Sequence, residues 1–296
     1  MRMPLRGALF AVLLLGAGAA PAMATSQDTA APARTTVQDR TVQAAAAAQE
    51  SIAAVDFAGT VALSNCSGSV VRTPASLPTD PALVLSNGHC LETGFPAAGQ
   101  VIVDRASTRT FTLLNSAGTG VATLRASKIA YGTMTDTDIS LYQLTSTYAQ
   151  IQSAYGISAL ELNATRPVQG TAIKVVSGYW KRIYSCSVDG FAYQLKEGTW
   201  TWKDSVRYTS SCNTIGGTSG SPVIDEATGK VVAVNNTGNE DGARCTLNNP
   251  CEVDENGTVT VRYGINYAQQ TYGIVACVGA GSQINLSLAG CTLPKP

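Results

Sequence analysis

From residue 57 onward the chain is a succession of short β-type runs separated by turn residues, and this pattern constrains the fold more than any other feature. A first set of runs lies at residues 59–63, 67–72, 82–85, 101–104, 110–114, 121–130 and 139–144. A second set lies at residues 171–176, 182–188, 191–195, 199–203, 206–209, 222–224, 230–235 and 258–265. Short runs broken by Gly, Asn, Pro, Ser and Thr are typical of β-barrels and sandwiches. We therefore predict an all-β chain built from paired barrels, with residues 145–170 as the linker.

The first 24 residues predict a signal peptide. Two arginines precede an apolar run over residues 8–20, and residues 22–24 form a small-x-small cleavage sequence. This run is too short to cross a bilayer comfortably, and no later apolar stretch reaches spanning length. Residues 25–52 carry too little apolar surface for a core, so we predict a zymogen propeptide or a loose N-terminal arm. Residues 53–296 would then form the functional domain of a secreted protein.

The charge and cysteine content limit the classes of partner and ligand that we expect for this protein. The chain has 20 basic and 20 acidic residues and no basic block, which argues against nucleic acid and membrane partners. We expect a monomer. Eight cysteines in an exported chain predict four disulfides, among 105 pairings. The cysteines lack CxxC spacing and the chain has one histidine, so we expect no metal and no cofactor.

Residues 216–223 read Gly-Gly-Thr-Ser-Gly-Ser-Pro-Val and place Ser219 among three glycines. Glycine permits positive φ and close backbone approach. A serine on such a turn can expose its hydroxyl while neighbouring N–H groups point at one place. Acyl transfer needs an exposed nucleophile and donors aimed at developing negative charge. Taken alone, the segment fits a surface turn equally well.

Two other residues could complete the chemistry of a serine nucleophile. His89, the only histidine, follows an apolar strand and precedes Cys90. Histidine is the side chain whose ordinary pKa suits a general base near neutral pH, although a lone histidine is more often structural. Asp138 opens an apolar run and could orient an imidazole. Asp136 is the competing carboxylate, and strand alternation would put both on one face. The apolar run directly after Asp138 favours Asp138.

Together these segments resemble the chymotrypsin-like (trypsin-fold) serine proteases. The His-Cys pair, the Asp-Ile-x-Leu run at 138–141 and the Gly-x-Ser-Gly-x-Pro turn occur in the order His, Asp, Ser. That order separates this fold from subtilisins and α/β-hydrolases. Three motifs in register make the resemblance specific. It implies two six-stranded antiparallel β-barrels, about 53–148 and about 165–280, with the active site between them.

The resemblance also implies the roles of individual residues. Ser219 would be the nucleophile and His89 the base that later protonates the leaving amine, with Asp138 orienting His89. The N–H groups of Gly217 and Ser219 would form the oxyanion hole. A disulfide between Cys66 and Cys90 would staple the histidine loop. We expect the remaining cysteines to pair sequentially, because each such pair closes a shorter loop than its crossed alternatives: Cys186–Cys212, Cys245–Cys251 and Cys277–Cys291.

Departures from the family pattern bear on activation. Thr218 stands where animal members have an aspartate, and no Ile-Val-Gly-Gly start lies near residue 53. Activation by an N-terminal ion pair is therefore not available. The Gly-Thr-Ser-Gly-Ser-Pro turn is more similar to the bacterial branch that contains glutamyl endopeptidases and V8-like enzymes.

The expected substrate pocket does not fix a specificity. Thr214 matches a threonine that lines the pocket in the V8-like branch, but Asn235 stands where a histidine would read a glutamate. Asn213, six residues before Ser219, supplies no acid for a basic side chain. The acidic loop at 239–257 could supply one, although a solvated loop is the simpler interpretation, and its faint likeness to a calcium loop assigns no metal. The three tryptophans are expected to pack the barrels: Trp180, Trp200 and Trp202.

The sequence leaves two other functions open. A non-catalytic binding module on the same fold is one, although such relatives usually lose a member of the triad. A secreted esterase is the other, because acyl-enzyme chemistry is shared. The favoured interpretation is a secreted serine endopeptidase that acts on proteins or peptides.

Overall fold

The computed structural model describes residues 54–296, and both the predicted signal peptide (1–24) and the predicted propeptide (25–52) lie outside that range. The described chain is almost entirely β-structure, which confirms the predicted fold class. No helix within these residues is long and apolar enough to cross a membrane.

Eight strands belong to the first sheet. They are β1 (Thr60–Ala62), β2 (Ser67–Arg72), β3 (Pro81–Ser86), β4 (Val101–Ala106), β5 (Thr110–Leu114), β6 (Gly120–Thr133), β7 (Ile139–Thr147) and β8 (Leu160–Glu161). Six of them pair in the order β1-β5-β6-β7-β3-β2, and β2 pairs back to β1, which closes a barrel. Strand β4 extends the sheet beside the long β6, and β8 adds a short parallel pairing on β2.

Eight further strands form the second sheet. They are β9 (Ala172–Ser177), β10 (Arg182–Glu197), β11 (Trp200–Tyr208), β12 (Pro222–Asp225), β13 (Val231–Gly238), β14 (Cys251–Val253), β15 (Val259–Val261) and β16 (Asn266–Gln270). The order β11-β16-β13-β12-β9-β10 also closes on itself, because β10 pairs with β11. Strands β14 and β15 form a hairpin on the outer end of β10.

The predicted linker contains regular structure. A helix, α1 (Tyr148–Tyr155), follows β7 directly, and the side chains and backbone of Thr147 and Gln150 form a capping box at its start. A left-handed Gly156 ends the helix. The crossing between the barrels is therefore shorter than residues 145–170.

Several strands of the second barrel differ from the prediction, including β14, which was not predicted, and the run 258–265, of which only Val259–Val261 forms a strand. Residues 182–188 and 191–195 form the single strand β10, because its ladder with β11 continues through a bulge between Val188 and Gly190. Residues 199–203 and 206–209 likewise merge into β11. Strand β16 was not predicted, because its residues Asn266 and Gln269 are polar although buried.

Apolar side chains form a core inside each barrel and a third cluster between them. The third cluster joins Leu83, Leu85 and Leu141 of the first barrel to Val176 and Val234 of the second. The C-terminal segment, with the short helix α2 (Tyr272–Val275) and a 3-10 turn at Ala280–Ser282, adds to this cluster. Burying this apolar surface stabilises the packed barrels by about 25 cal/mol per Å². The cleft between the barrels is fixed as a result.

Four disulfides join the cysteines of the described chain. They are Cys66–Cys90, Cys186–Cys212, Cys245–Cys251 and Cys277–Cys291, the pairs expected from the sequence.

Candidate active site

His89 and Asp138 form a closely bonded pair at the edge of the first barrel. The Nδ1 atom of His89 lies 2.6 Å from Oδ2 of Asp138, and the backbone N–H of His89 donates to Oδ1 at 3.0 Å. The Asp138 side chain is fully buried, whereas the His89 ring is 19% exposed. Because Asp138 accepts the Nδ1 proton, Nε2 of a neutral His89 carries the free lone pair. This is the arrangement that a general base needs.

Local structure explains how the pair is held. His89 lies in a 3-10 turn, Gly88–Cys90, directly after β3, and Asp138 directly precedes β7. The side chain of Asn87 donates to the carbonyl of Asp138 at 2.8 Å, and Ser140 donates to the carbonyl of Asn87 at 2.7 Å. Each hydrogen bond joins the two strand ends, so the imidazole and the carboxylate are kept together.

Asp136, the competing carboxylate, does not bond His89. Its φ of 59° is left-handed, so the alternation expected of a regular strand does not hold between it and Asp138. Its carboxylate pairs with Lys203 at 2.8 Å on β11 of the second barrel. Asp136 therefore joins the barrels, and Asp138 alone meets His89.

Burial and neighbouring charge act in opposite directions on His89. Burial lowers its pKa, but the charge of Asp138, the hydrogen bond to Asp138 and the charge of Glu197 raise it more, so the pKa lies above 6.5. The carboxylates thus stabilise the protonated ring, which is the state that follows proton transfer.

Ser219 lies in the same cavity as His89. The cavity, of about 250 Å³, opens between the barrels and is lined by both residues and by Thr214, Asn235 and Asn236. The hydroxyl of Ser219 donates to the backbone carbonyl of Asn236 at 3.3 Å, and no hydrogen bond joins Ser219 to His89 in the described chain. Catalytic hydrogen bonds are often long or absent without substrate, and one rotation about Cα–Cβ moves the hydroxyl.

Two backbone N–H groups within residues 217–221 have no acceptor. The N–H groups of Thr218, Gly220 and Ser221 all donate to backbone carbonyls. Within residues 54–296, those of Gly217 and Ser219 have no acceptor. These are the two groups expected to form an oxyanion hole, which requires unpaired donors near the nucleophile.

Trp180 orients the peptide group that carries the Gly217 N–H. Its Nε1–H donates to the carbonyl of Gly216 at 2.7 Å. Because a trans peptide is planar, the N–H of Gly217 points opposite to that carbonyl and away from Trp180. Trp180 is about half exposed, at 49%, so the expectation that it packs a barrel was wrong. Trp202 is buried as expected, and Trp200 is partly buried and donates to the carbonyl of Pro96.

The first barrel makes hydrogen bonds to the turn that carries Ser219. At the start of β2, the N–H of Ser67 donates to the carbonyl of Ser219 at 2.8 Å, and its hydroxyl donates to the carbonyl of Gly217 at 3.2 Å. The preceding residue, Cys66, is bridged to Cys90, which follows His89. The Cys66–Cys90 disulfide therefore fixes Ser67, which holds the Ser219 turn, relative to His89.

Gly220 is required by this close approach. Its φ is +81°, and a Cβ there would collide with the carbonyl of Ser67 and the hydroxyl of Ser86. We expect Gly220→Ala to lower the free energy of unfolding by about 3 kcal/mol or more, from left-handed strain and overpacking together. Gly257→Ala is the matched control, because its φ is +82° with no atom within 4 Å of the added Cβ.

The measurement for this pair is chemical denaturation of both variants. Gly257→Ala should lose only the strain of about 1–2 kcal/mol. Equal losses in the two variants would mean that the Ser67 contact does not constrain the turn.

Two of the three residues expected to line a substrate pocket line the cavity. Thr214 lines the cavity and bonds Asn266 at 2.8 Å. Asn235 also lines it, but its amide is engaged by Tyr208 and Thr218, each at 3.2 Å. Asn213 is exposed and is not among the lining residues.

The acidic loop contributes one carboxylate to the cavity, that of Glu240. Glu252 instead receives hydrogen bonds from Arg207, Arg262 and Tyr267. Asp254 accepts from backbone N–H groups of its own turn. The carboxylates of Glu252 and Asp254 therefore hold the loop itself and do not face the cavity.

Sequence reasoning missed Glu197, the last residue of β10. This glutamate lines the cavity and is only 4% exposed. Its carboxylate accepts from the hydroxyl of Thr237 at 2.6 Å and from the N–H of Asn248 at 2.9 Å. No local pattern signals it, because its partners lie 40 and 51 residues away.

The two closed barrels and the cleft between them define the chymotrypsin-like class of double-barrel proteins. Residues 66–234 match the model of a trypsin-like peptidase domain. Since this match covers more than half of the sequence, the chain belongs to the trypsin-like peptidase family.

Comparison with solved structures finds proteases at low identity. The Rv3671c protease from M. tuberculosis in its active form is 15% identical, with a TM-score of 0.46, over 81% of this chain and 85% of that one. A thermostable serine protease, AL20, from an extremophilic microorganism is 15% identical, with a TM-score of 0.41, over 73% and 91%. The Nocardiopsis protease NAPase is 11% identical, with a TM-score of 0.41, over 73% and 93%. No curated protein sequence matches significantly. The family assignment depends on the peptidase domain match alone.

Proposed function

We propose that this protein is an exported serine endopeptidase in which Ser219, His89 and Asp138 form the catalytic triad. The observation that carries the proposal is the 2.6 Å contact between His89 and Asp138 in a cavity shared with Ser219. The unpaired N–H groups of Gly217 and Ser219 support it. The four disulfides support export, since such bonds persist in oxidising compartments.

The reaction would proceed in two stages. After rotation of its side chain, Ser219 attacks the scissile carbonyl while Nε2 of His89 takes the hydroxyl proton. Asp138 stabilises the imidazolium and remains ionised. The carbonyl oxygen becomes an oxyanion facing Gly217 and Ser219, where preorganised donors are worth several kcal/mol. His89 then protonates the leaving amine, and water repeats the sequence on the acyl-enzyme.

Comparing ester and amide turnover distinguishes the proposal from its alternatives. The wild-type protein should cleave fluorescent casein and matched peptide amides, with Ser219→Ala as the inactive control. Hydrolysis of esters without amides would favour an esterase. Binding of peptides without any turnover would favour a non-catalytic module and would overturn the proposal.

Three finer points of the proposal depend on sequence rather than geometry. Residues 1–24 and 25–52 are proposed as signal peptide and propeptide, and N-terminal sequencing of the secreted protein would locate the mature start. The Gly-Thr-Ser-Gly-Ser-Pro turn and Thr214 support affinity with the V8-like branch. We also propose that the protein acts on proteins or peptides and is a monomer.

The raised pKa of His89 predicts the acid limb of the pH profile. A general base must be neutral, so activity should be lost as pH falls through the pKa of His89, which lies above 6.5. For an uncharged peptide substrate, half-maximal kcat/KM is expected above pH 6.5. A limb centred below pH 6.5 would show that Asp138 and Glu197 do not outweigh burial.

Trp180 is predicted to affect turnover more than binding. Trp180→Phe removes the hydrogen bond to the Gly216 carbonyl and should lower kcat about 10-fold, a fraction of the 10²–10³-fold effect of losing an oxyanion donor. KM should change little, because the hydrogen bond from the Gly217 N–H to the oxyanion is made in the transition state. Tyr179→Phe is the control, since within the described residues Tyr179 makes its hydrogen bond through the backbone N–H, which donates to Ser67, and its hydroxyl makes none. A rise in KM with unchanged kcat would contradict the orienting role.

A further inference from the structure

The cavity contains a buried carboxylate, that of Glu197, which has no part in the proposed mechanism apart from its effect on the pKa of His89. Glu197 is held by Thr237 and Asn248, and no lysine or arginine pairs with it in residues 54–296. Burying an unpaired carboxylate is costly, so such groups are ordinarily matched by a cation. Two lone-pair directions of this carboxylate are already taken by donors, which fix its position at the wall of the cleft.

Apart from His89, the charged side chains that line the cavity are all acidic. Its carboxylates are Glu197 and the exposed Glu240, and no lysine or arginine is among its lining residues. Glu252 and Asp254 of the acidic loop are engaged elsewhere, as described above, and neither Asp241 nor Glu255 is among the lining residues. A substrate cation entering the cleft would therefore meet an uncompensated negative field in a partly desolvated site, where charge pairing is strong.

Two aromatic residues lie near Glu197: Phe95 lines the cavity, and Trp200, which does not, contacts Phe95. Glu197 lies directly opposite Trp200 in the β10–β11 ladder, so the two side chains share a face. The Trp200 ring meets Phe95 edge-on at 5.9 Å, and Phe95 meets His89 at 5.7 Å. Phe95 is 52% exposed and lines the cavity. Aromatic faces bind planar guanidinium groups and cover the aliphatic part of a long side chain.

A further polar group in the cavity lacks a partner. Asn236 is 3% exposed and lines the cavity, yet neither side-chain atom of its amide has a hydrogen-bond partner in the described chain. Buried amides are normally satisfied, so this one points to a ligand that supplies donors or acceptors. A bound peptide with an arginine side chain supplies both.

We propose that Glu197, with the aromatic residues Phe95 and Trp200 beside it, forms a subsite that binds an arginine side chain of the substrate next to His89. This inference rests on the proposed protease function and names a substrate class for the same cleft. The subsite differs from the position six residues before Ser219, where Asn213 supplies no charge. Glu197 is a specificity residue here, and it takes no part in bond cleavage.

The test compares peptides that differ only in charge. A peptide series would carry either arginine or citrulline, its uncharged analogue of the same shape, at each position from three residues before the scissile bond to two after it. The wild-type enzyme should show a kcat/KM ratio of arginine to citrulline of about 10–100 at one position, as expected for a buried charged contact. In Glu197→Gln this ratio should fall to within about threefold of unity.

The ratio cancels any general effect of a substitution on catalysis. Glu240→Gln removes a charge from the exposed rim and should change the ratio by less than about twofold. The inference is overturned if the wild-type enzyme shows no arginine preference at any position. It is also overturned if Glu197→Gln retains the preference, or if Glu240→Gln abolishes it.

A binding measurement separates this inference from the protease proposal. In Ser219→Ala, which should leave peptides intact, the arginine peptide should bind about 10-fold or more tightly than the citrulline peptide, by calorimetry. If wild-type protein cleaves nothing but this difference is present, the subsite stands and the protease proposal fails. Equal affinities overturn the subsite. The same comparison is available if Glu197→Gln does not fold, because it needs no change at residue 197.

Discussion

Replacing Ser219 with alanine is expected to lower kcat for peptide cleavage by about 10⁶-fold, and replacing His89 with alanine should cost nearly as much. The nucleophile and its base act as one unit, so losing either removes covalent catalysis. The double variant Ser219→Ala/His89→Ala should therefore be no slower than either single variant. The measurement is single-turnover hydrolysis of one good peptide amide by all four proteins.

Folding must be intact for this comparison to report on chemistry. Ser219 contributes its carbonyl, not its side chain, to the contact with Ser67, so alanine preserves that support. Near-ultraviolet circular dichroism and denaturation midpoints should match the wild-type protein. Additive losses in the double variant would contradict a shared proton-transfer step.

Asp138→Asn is expected to lower kcat by about 10⁴-fold, which is the effect of the same change in the chymotrypsin-like triad. The amide donates to Nδ1 instead of accepting from it, so the imidazole takes the tautomer whose Nε2 is protonated. Such a ring cannot accept the Ser219 proton. The loss should appear in kcat, with KM changed much less.

Asp136→Asn provides the matched control for this prediction. It lies two residues away, carries the same charge and makes an exposed ion pair with Lys203. Exposed ion pairs contribute at most about 1 kcal/mol to stability, and this one does not touch His89. A loss of activity in Asp136→Asn comparable to that in Asp138→Asn would mean that the wrong carboxylate has been assigned.

Features set by local sequence were predictable. Turn residues and apolar runs define most strands of the first barrel, and the order of three short motifs identified the fold class. The helix at Tyr148–Tyr155 could also have been found, because Thr147 and Gln150 form a capping box that the sequence displays. The segment instead resembles a linker, because it lacks β-type runs and contains Pro167.

Features set by distant contacts were not predictable from the sequence. Gly190 reads as a turn, but pairing with β11 carries the strand through it. Asn266 and Gln269 read as surface residues, yet they are buried with partners at Cys212 and Ser205. Glu197 reads as the polar end of a hairpin. In each case the deciding partner is remote in sequence, so tertiary structure overrides the local pattern.

The most direct test of the account is the site of reaction with a fluorophosphonate, measured by intact mass and peptide mapping. The wild-type protein should gain one adduct, on Ser219, and His89→Ala should react at least about 10³-fold more slowly, because the hydroxyl then lacks its base. Modification at another residue would contradict the assignment. Equal labelling of Ser219 with and without His89 would contradict the proposed proton transfer between them.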